Sequence, residues 1–222
     1  MWSGQKRLLA DISHELRSPL ARMQMAIGLA HQQEVDTPTL DRIEREAIRM
    51  EALINQLLQL TRAEAGKPAL GKVNLRETMR ELFQDAAFEA STNSKHFNCD
   101  EIPDIVLRAD ATQLNSAVEN VLRNAIRYAD TQVEAAFTVK DDQVTLVVQD
   151  DGPGLTPQEC EEIFRPFYRP SASRERKSGG VGLGLAIAQA AIALHRGTIS
   201  AKPGDSGGLV VTITVPLGNE RE

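Results

Sequence analysis

Aromatic residues are scarce, 4% of the chain against a hydrophobic share of 41%, so any core must be built mostly from Leu, Ile, Val and Ala. At 222 residues there is room for one large or two small domains. Only two cysteines occur, Cys99 and Cys160. They stand far apart and outside any Cys/His cluster, which argues against a zinc site and reads as two reduced thiols of a cytosolic protein. No apolar run reaches the roughly 20 residues that a bilayer demands; the longest, Leu185 to Leu194, contains Gln189. Nor is positive charge in excess. A net charge of -6 lacks the basic stripe of a nucleic-acid binder and gives no reason to expect an anionic membrane surface as partner. No secretory signal is visible. Met1-Trp2-Ser3-Gly4 opens abruptly into a helical pattern, as expected of a start inside a longer protein.

The chain does contain two stretches of different periodicity. Leu9, Ile12, Leu16, Leu20, Met23, Ile27 and Ala30 recur at spacings of three and four, and after a break at Glu34 to Pro38 so do Leu40, Ile43, Ala47, Met50, Ile54 and Leu57. Charged residues flank the second seam. This pattern predicts two antiparallel helices packed as in a coiled coil, with a symmetric dimer completing a four-helix bundle, because one hairpin cannot cover both seams. Gly66 to Gly71 is a breaker cluster and reads as a linker.

Beyond it, helices are expected over Leu75 to Ala90, over Asp110 to Tyr128 with Asp110 as N-cap, and over Gly182 to His195. Strands are expected at Ile105 to Leu107, Val133 to Val139, Val144 to Gln149, Gly197 to Ala201 and Leu209 to Val215, with Lys140-Asp141-Asp142 as a hairpin turn. This half reads as α+β. The implied domains are 1–65, a helical hairpin; 66–72, a linker; and 73–222, a second domain.

His14 lies two residues from Ile12 and from Leu16. At about 100° per residue it points away from the seam, toward solvent. Glu15 follows it directly. A carboxylate that accepts the Nδ1 proton leaves Nε2 as a nucleophile. Pro19 should bend the helix one turn later, giving a docked domain access to the ring; alone it is equally a tolerated kink.

Four later segments carry polar groups of one kind. Asn120 and Asn124, four apart, share a helix face, and two amide oxygens suit a hard cation such as Mg²⁺. Arg123 and Arg127 lie on an adjoining stripe, open to phosphate or to nearby acids. Asp150-Asp151-Gly152-Pro153-Gly154 follows a strand, where an Asp can accept from an adenine amine; as a bare pattern it is also an ordinary acidic turn. Ile163 to Arg169 clusters aromatics beside Pro166, as a peg or as a minor core cluster, and leaves Arg169 to meet a phosphate. Ser178 to Leu185 is glycine-rich and opens an apolar helix, an arrangement that suits phosphate, though it is neither the Walker pattern nor the dinucleotide pattern. Between Gly154 and Gly180 a polar stretch with Arg174 to Lys177 reads as a lid.

The run His14-Glu15-Leu16-Arg17-Ser18-Pro19-Leu20 resembles the H-box of sensor histidine kinases. The four later segments, in this order and spacing, resemble the N, G1, F and G2 boxes of that family's ATP domain. The resemblance extends from His14 to Pro216, and the wording of Ile163 to Arg169 and Ser178 to Ile187 is similar to the envelope-stress (Cpx-type) branch. It implies a dimerising helical hairpin followed by an α+β sandwich of the Bergerat/GHKL ATP-binding fold, with ATP and Mg²⁺ as ligands. It implies His14 as phosphoacceptor, Glu15 beside it, and Ser18 where the family has Thr or Asn, so that a hydroxyl for phosphatase action is retained. Asn120 and Asn124 would hold Mg²⁺. Arg127 stands where Lys often contacts phosphate, and Tyr128 would line the adenine side. Asp150 would read the adenine amine with Gly152 and Gly154 beside it. Arg169, Gly180, Gly182, Leu183 and Gly184 would complete the ATP site; Arg165 is given no role.

The implied partners are a second copy of the chain and a response regulator whose Asp takes the phosphoryl group. The implied setting is the cytoplasmic part of a bacterial inner-membrane protein, joined to the membrane only through an N-terminal part absent from this chain. Two rivals stay open: an ATPase of the same nucleotide fold, such as a chaperone or mismatch-repair relative, and a dimerisation scaffold without catalysis.

Overall fold

A computed structural model describes Met23, Met25, Ile27, Gly28, Ala30 and residues 37–170, 181–205 and 207–218. The chain divides into two compact units, Met1–Ala65 and Gly66–Glu222.

In the first unit, Met23, Met25, Ile27, Gly28 and Ala30 are helical, and α1 runs over Thr37–Ala65. Ile27 packs with Ala47, Ile54 and Leu58, with Leu40 partly buried against them, so two helical segments share one apolar contact. The seam read from the sequence as one stripe is in fact two. Leu40, Ala47 and Ile54, spaced by seven, face Ile27. Ile43 and Met50, also spaced by seven, stand 41% and 46% exposed. A single partner helix covers only one side of a heptad pattern, which is why the second stripe stays open in one chain.

In the second unit, β1 (Gly71–Asn74) pairs antiparallel with β3 (Val106–Ala109), placing Val73 opposite Leu107 in the interior. Gly71 and Lys72, read from the sequence as linker, belong to this strand. The helix α2 (Leu75–Thr92) starts at Asn74, whose side chain accepts from the Glu77 amide, and buries Leu75, Met79, Phe83, Ala86 and Ala90 at helical spacing.

Five further strands form a mixed sheet in the order β2-β4-β5-β7-β6, made of β2 (His96–Cys99), β4 (Gln132–Lys140), β5 (Gln143–Asp150), β6 (Thr198–Pro203) and β7 (Leu209–Pro216). Among the described strands of this sheet only β2 and β4 pair in parallel, as their connection through the helix α3 (Ala111–Tyr128) requires. The hairpin turn between β4 and β5 is the expected one: Asp141 and Asp142 both take positive φ, at 51° and 58°, the geometry that matches strand twist in a two-residue turn.

Phe83 of α2 meets Phe97 and Phe137 with ring centroids 6.0 and 5.5 Å apart, so three of the few aromatics lie where a helix seats on the sheet. Leu75, Met79, Leu107, Leu114, Val118, Leu146 and Ile213 converge on the same interior. The helix α3 buries Leu114, Ala117, Val118, Val121, Leu122, Ala125 and Ile126, a stripe with helical period. The last helix, α5 (Gly184–Leu194), packs beside α3 and buries Leu185 to Ala188, Ala191 and Ile192. It begins at Gly184, two residues later than the glycine run suggested, because Gly182 has φ +81°. A short helix, α4 (Pro157–Glu162), was not read from the sequence; Thr156 and Glu159 form a capping box at its start.

Candidate nucleotide site

Strand alternation decides where Asp150 points. Val144, Leu146 and Val148 face inward on β5, and the period of two carries Asp150 to the same face, where it is 3% exposed. Its Oδ1 accepts the amide of Gly152 at 3.0 Å and that of Leu209 at 3.3 Å. Burial pushes the carboxyl up to about 6; the two amide hydrogen bonds lower it, and the neighbouring charges of Asp151 and Asp130 raise it further. Asp151 does the opposite. Its carboxylate accepts from the backbone amides of Asp130, Thr131 and Gln132 and from the Thr131 hydroxyl. Burial pushes it up, but these bonds outweigh that and hold it at about 2. Two adjacent acids therefore have separate jobs: one is presented inside, and the other ties the β5 loop to the segment after α3.

Close backbone approach explains the glycines. A Cβ on Gly152 would overlap the carbonyl of Tyr128, so the loop lies directly on the C-terminal end of α3. A Cβ on Gly154 would come 2.8 Å from the carbonyl oxygen of Gly208, and one on Gly208 would overlap the carbonyl of Asp150. Gly208, singled out for no role in the sequence, thus lets the start of β7 reach the Asp150 loop. The Gly207-Gly208 pair was the available signal.

The asparagine face meets the end of α5. Asn120 Nδ2 donates to the Ser116 carbonyl at 2.8 Å, and its Oδ1 lies toward Gly184. A Cβ on Gly184 would sit 2.8 Å from that oxygen. Asn124, one turn on, and Tyr128 are half-buried, and Arg127 in the last turn is exposed. Arg123 leaves the site: it pairs with Glu89 at 3.6 Å and Glu119 at 3.4 Å. Lys95, unread in the sequence, donates to the carbonyls of Ile126 and Arg127 at 2.7 and 3.3 Å and closes the C-terminal end of α3.

Gly182 is held to the segment of clustered aromatics. Its carbonyl accepts the Phe167 amide at 2.8 Å, and a Cβ there would lie 2.6 Å from the Tyr168 carbonyl oxygen. The chain thus leaves at Tyr168 and returns at Gly182 side by side. Ile163 and Phe164 are buried, as an anchor should be, whereas Phe167 is 59% exposed. Leu183 is buried and Arg169 half-buried. Arg165 pairs with Glu162 at 3.0 Å. His14, Glu15, Ser18 and Gly180 lie outside the described residues.

Residues 109–219 match the family described as histidine kinase-, DNA gyrase B-, and HSP90-like ATPase, and residues 5–66 match the His Kinase A (phospho-acceptor) domain. The chain therefore belongs to the sensor histidine kinases, with the helical hairpin region followed by the ATPase domain and its mixed sheet. It is 42% identical over 219 residues to the sensor histidine kinase CpxA of Escherichia coli K12, covering 98% of this chain and 48% of that protein. It is 34% identical over 223 residues to the sensor histidine kinase MtrB of Mycolicibacterium paratuberculosis, covering 96% of this chain and 39% of that one. The chain thus spans about half the length, or less, of these curated relatives. Among solved structures, full-length ShkA in complex with AMPPNP superposes with a TM-score of 0.79 at 22% identity, covering 96% of this chain and 46% of that one, and shares the fold.

Proposed function

We propose that this chain is the kinase core that binds Mg·ATP in its second unit, transfers the γ-phosphoryl group to His14, and passes it on to an Asp of a response regulator. The observation that carries the reading is the contact of Asn120 with Gly184, which joins the asparagine face of α3 to the N-terminal end of α5. Free N–H groups and the positive end of α5 suit the phosphates, with Gly180, Gly182 and Leu183 shaping that end and Arg127 and Arg169 as added cations. Asp150 and Tyr128 take the adenine side, with Gly152 and Gly154 giving the base room. The oriented oxygen of Asn120, with that of Asn124, is a hard donor that fits Mg²⁺. When bound, the ion neutralises charge between the phosphates.

In the transfer, His14 is neutral with its proton on Nδ1, held by Glu15. The Nε2 lone pair forms the N–P bond as the bond from Pγ to the β,γ-bridging oxygen breaks, and ADP leaves with that electron pair. The Nδ1 proton passes to Glu15. Positioning and charge neutralisation supply most of the acceleration. Ser18 keeps a hydroxyl for orienting water during dephosphorylation of the regulator.

The open stripe of Ile43 and Met50 supports a homodimer through the helical hairpin, since a second copy would cover it. No helix among the described residues is long and apolar enough to cross a membrane. The test is incubation with γ-labelled ATP. Acid-labile label in the wild type and none in His14→Ala, with equal ATP affinity, is the expected result. ATP hydrolysis without label on the protein would favour an ATPase of the same fold instead.

A further inference from the structure

Asp110 sits where three parts of the second unit meet. Its Oδ1 accepts the Gln113 amide at 3.1 Å and so caps α3, the helix that carries Asn120 and Asn124. Its Oδ2 accepts the amide of Ala69 at 3.0 Å, a residue of the segment that opens the second unit and connects α1 to β1. Its own amide donates to Nε2 of His195 at 3.0 Å. His195 is 4% exposed and ends α5, the helix that Gly184 begins. Because Nε2 accepts, the ring proton is on Nδ1, which donates to the Ala191 carbonyl at 2.8 Å. One carboxylate and one imidazole thus connect the connecting segment to both helices of the nucleotide site.

We propose that Asp110 is a positioning residue for phosphoryl transfer: it fixes the course of the connecting segment where the nucleotide unit begins, and His195 holds it there. This rests on the function proposed above. The hold concerns delivery of the phosphoryl group rather than capture of ATP, since none of these contacts lies at Asp150 or at the Asn120–Gly184 junction. A carboxylate accepting two backbone amides is a strong clamp, and reacting groups must be placed closely for transfer to proceed.

Asp110→Asn separates the two roles of the side chain. The Asn oxygen caps α3 as well as Asp does, but its NH₂ group cannot accept from Ala69. Ala69→Pro removes the same bond from the other side by deleting the N–H. ATP affinity, the rate of His14 labelling at saturating ATP, and thermal stability are measured on the full chain for wild type, both variants and their combination. Expected is a fall in labelling rate of about tenfold in each single variant, no further fall in the double variant, and ATP affinity and melting temperature near wild type. His195→Gln, which retains an acceptor and a donor, should keep more of the rate than His195→Leu. Wild-type labelling rates in both single variants would overturn the proposal while leaving the proposed function intact. So would ATP affinity falling in step with the rate, which would make the clamp part of the nucleotide site. Absence of label on wild-type His14 would overturn both.

Discussion

The amide oxygen of Asn120 occupies the space a side chain at Gly184 would need, 2.8 Å from where the Cβ would stand. The contact is between a side-chain end and a missing methyl group, so it can be relieved by moving the amide. Gly184→Ala should therefore cost little stability and much function. Adding a methyl at the first residue of α5 improves helix propensity, but it turns Asn120 off its bond with Ser116. A loss of Mg²⁺-dependent ATP affinity of about tenfold, with a melting temperature near wild type, is expected; calorimetry with and without Mg²⁺ checks both. Unchanged affinity would remove Asn120 from the site.

Asp150 gives a pH dependence of a particular sign. Its carboxyl is raised from 3.8 to about 6 in the fold. The folded chain thus binds a proton that the unfolded chain has released between these values, and the stability due to this group is present below about pH 4 and lost as pH rises through about 6. The change is on the order of 2–3 kcal/mol. Asp150→Asn keeps an acceptor for the Gly152 and Leu209 amides and needs no charge. Between pH 4 and pH 7 its stability should fall by less than that of wild type, so that at pH 7 it matches or exceeds wild type in chemical denaturation, while ATP binding is lost. In the wild type, ATP affinity should weaken below about pH 6, where the acceptor carboxylate is protonated.

Asp151 should respond in the opposite sense. Its folded carboxyl is near 2, so its contribution is present above the ordinary carboxylate range and lost as pH falls toward 2. Because the group is partly exposed, solvent reduces what the bonds are worth. Asp151→Ala leaves three backbone amides and the Thr131 hydroxyl to find water, with an expected cost of about 1–2 kcal/mol at pH 7. ATP affinity should fall less than in Asp150→Asn. Equal losses of affinity would mean that the two acids act as one unit.

The difference between these neighbours shows what the sequence could and could not say. Asp150 was legible because it follows a strand and precedes two glycines, in a segment that resembles one box of the kinase ATP domain; that it points inward with Val144, Leu146 and Val148 comes from the structure. Asp151 was not, because its partners at Asp130 to Gln132 come near only once β4 and β5 pair. The hairpin, α3 with its Asp110 cap, and the glycine start of α5 follow local rules and were readable. The strands β1 and β2 were not: neither has the run of branched apolar residues that marks β3 at Ile105 to Leu107, and each exists through a distant partner. The helix α4 has a local signal in its capping box at Thr156 and Glu159, but its six residues are too few to show a helical period. The seam of α1 was readable as apolar, but its division into a covered and an open stripe depends on where Ile27 packs.

Two glycine substitutions should separate close approach from mere flexibility. At Gly152 an added Cβ overlaps the Tyr128 carbonyl, and its next backbone neighbour, the carbonyl carbon, is 2.9 Å away. Backbone cannot rotate aside as a side chain can, so Gly152→Ala must lift the Asp150 loop off the end of α3. The bond from the Gly152 amide to Asp150 shifts with it. Losses of about 1–3 kcal/mol in stability and of most ATP affinity are expected together. At Gly71 nothing lies within 4 Å of the added carbon, and φ lies outside the left-handed region. Gly71→Ala should leave ATP affinity unchanged and alter stability by less than about 1 kcal/mol, favourably if the strand conformation suits Ala. Denaturation and nucleotide titration of the two variants side by side decide the matter. A Gly152→Ala protein that binds ATP normally would show that the loop need not rest on α3 for the base to be held.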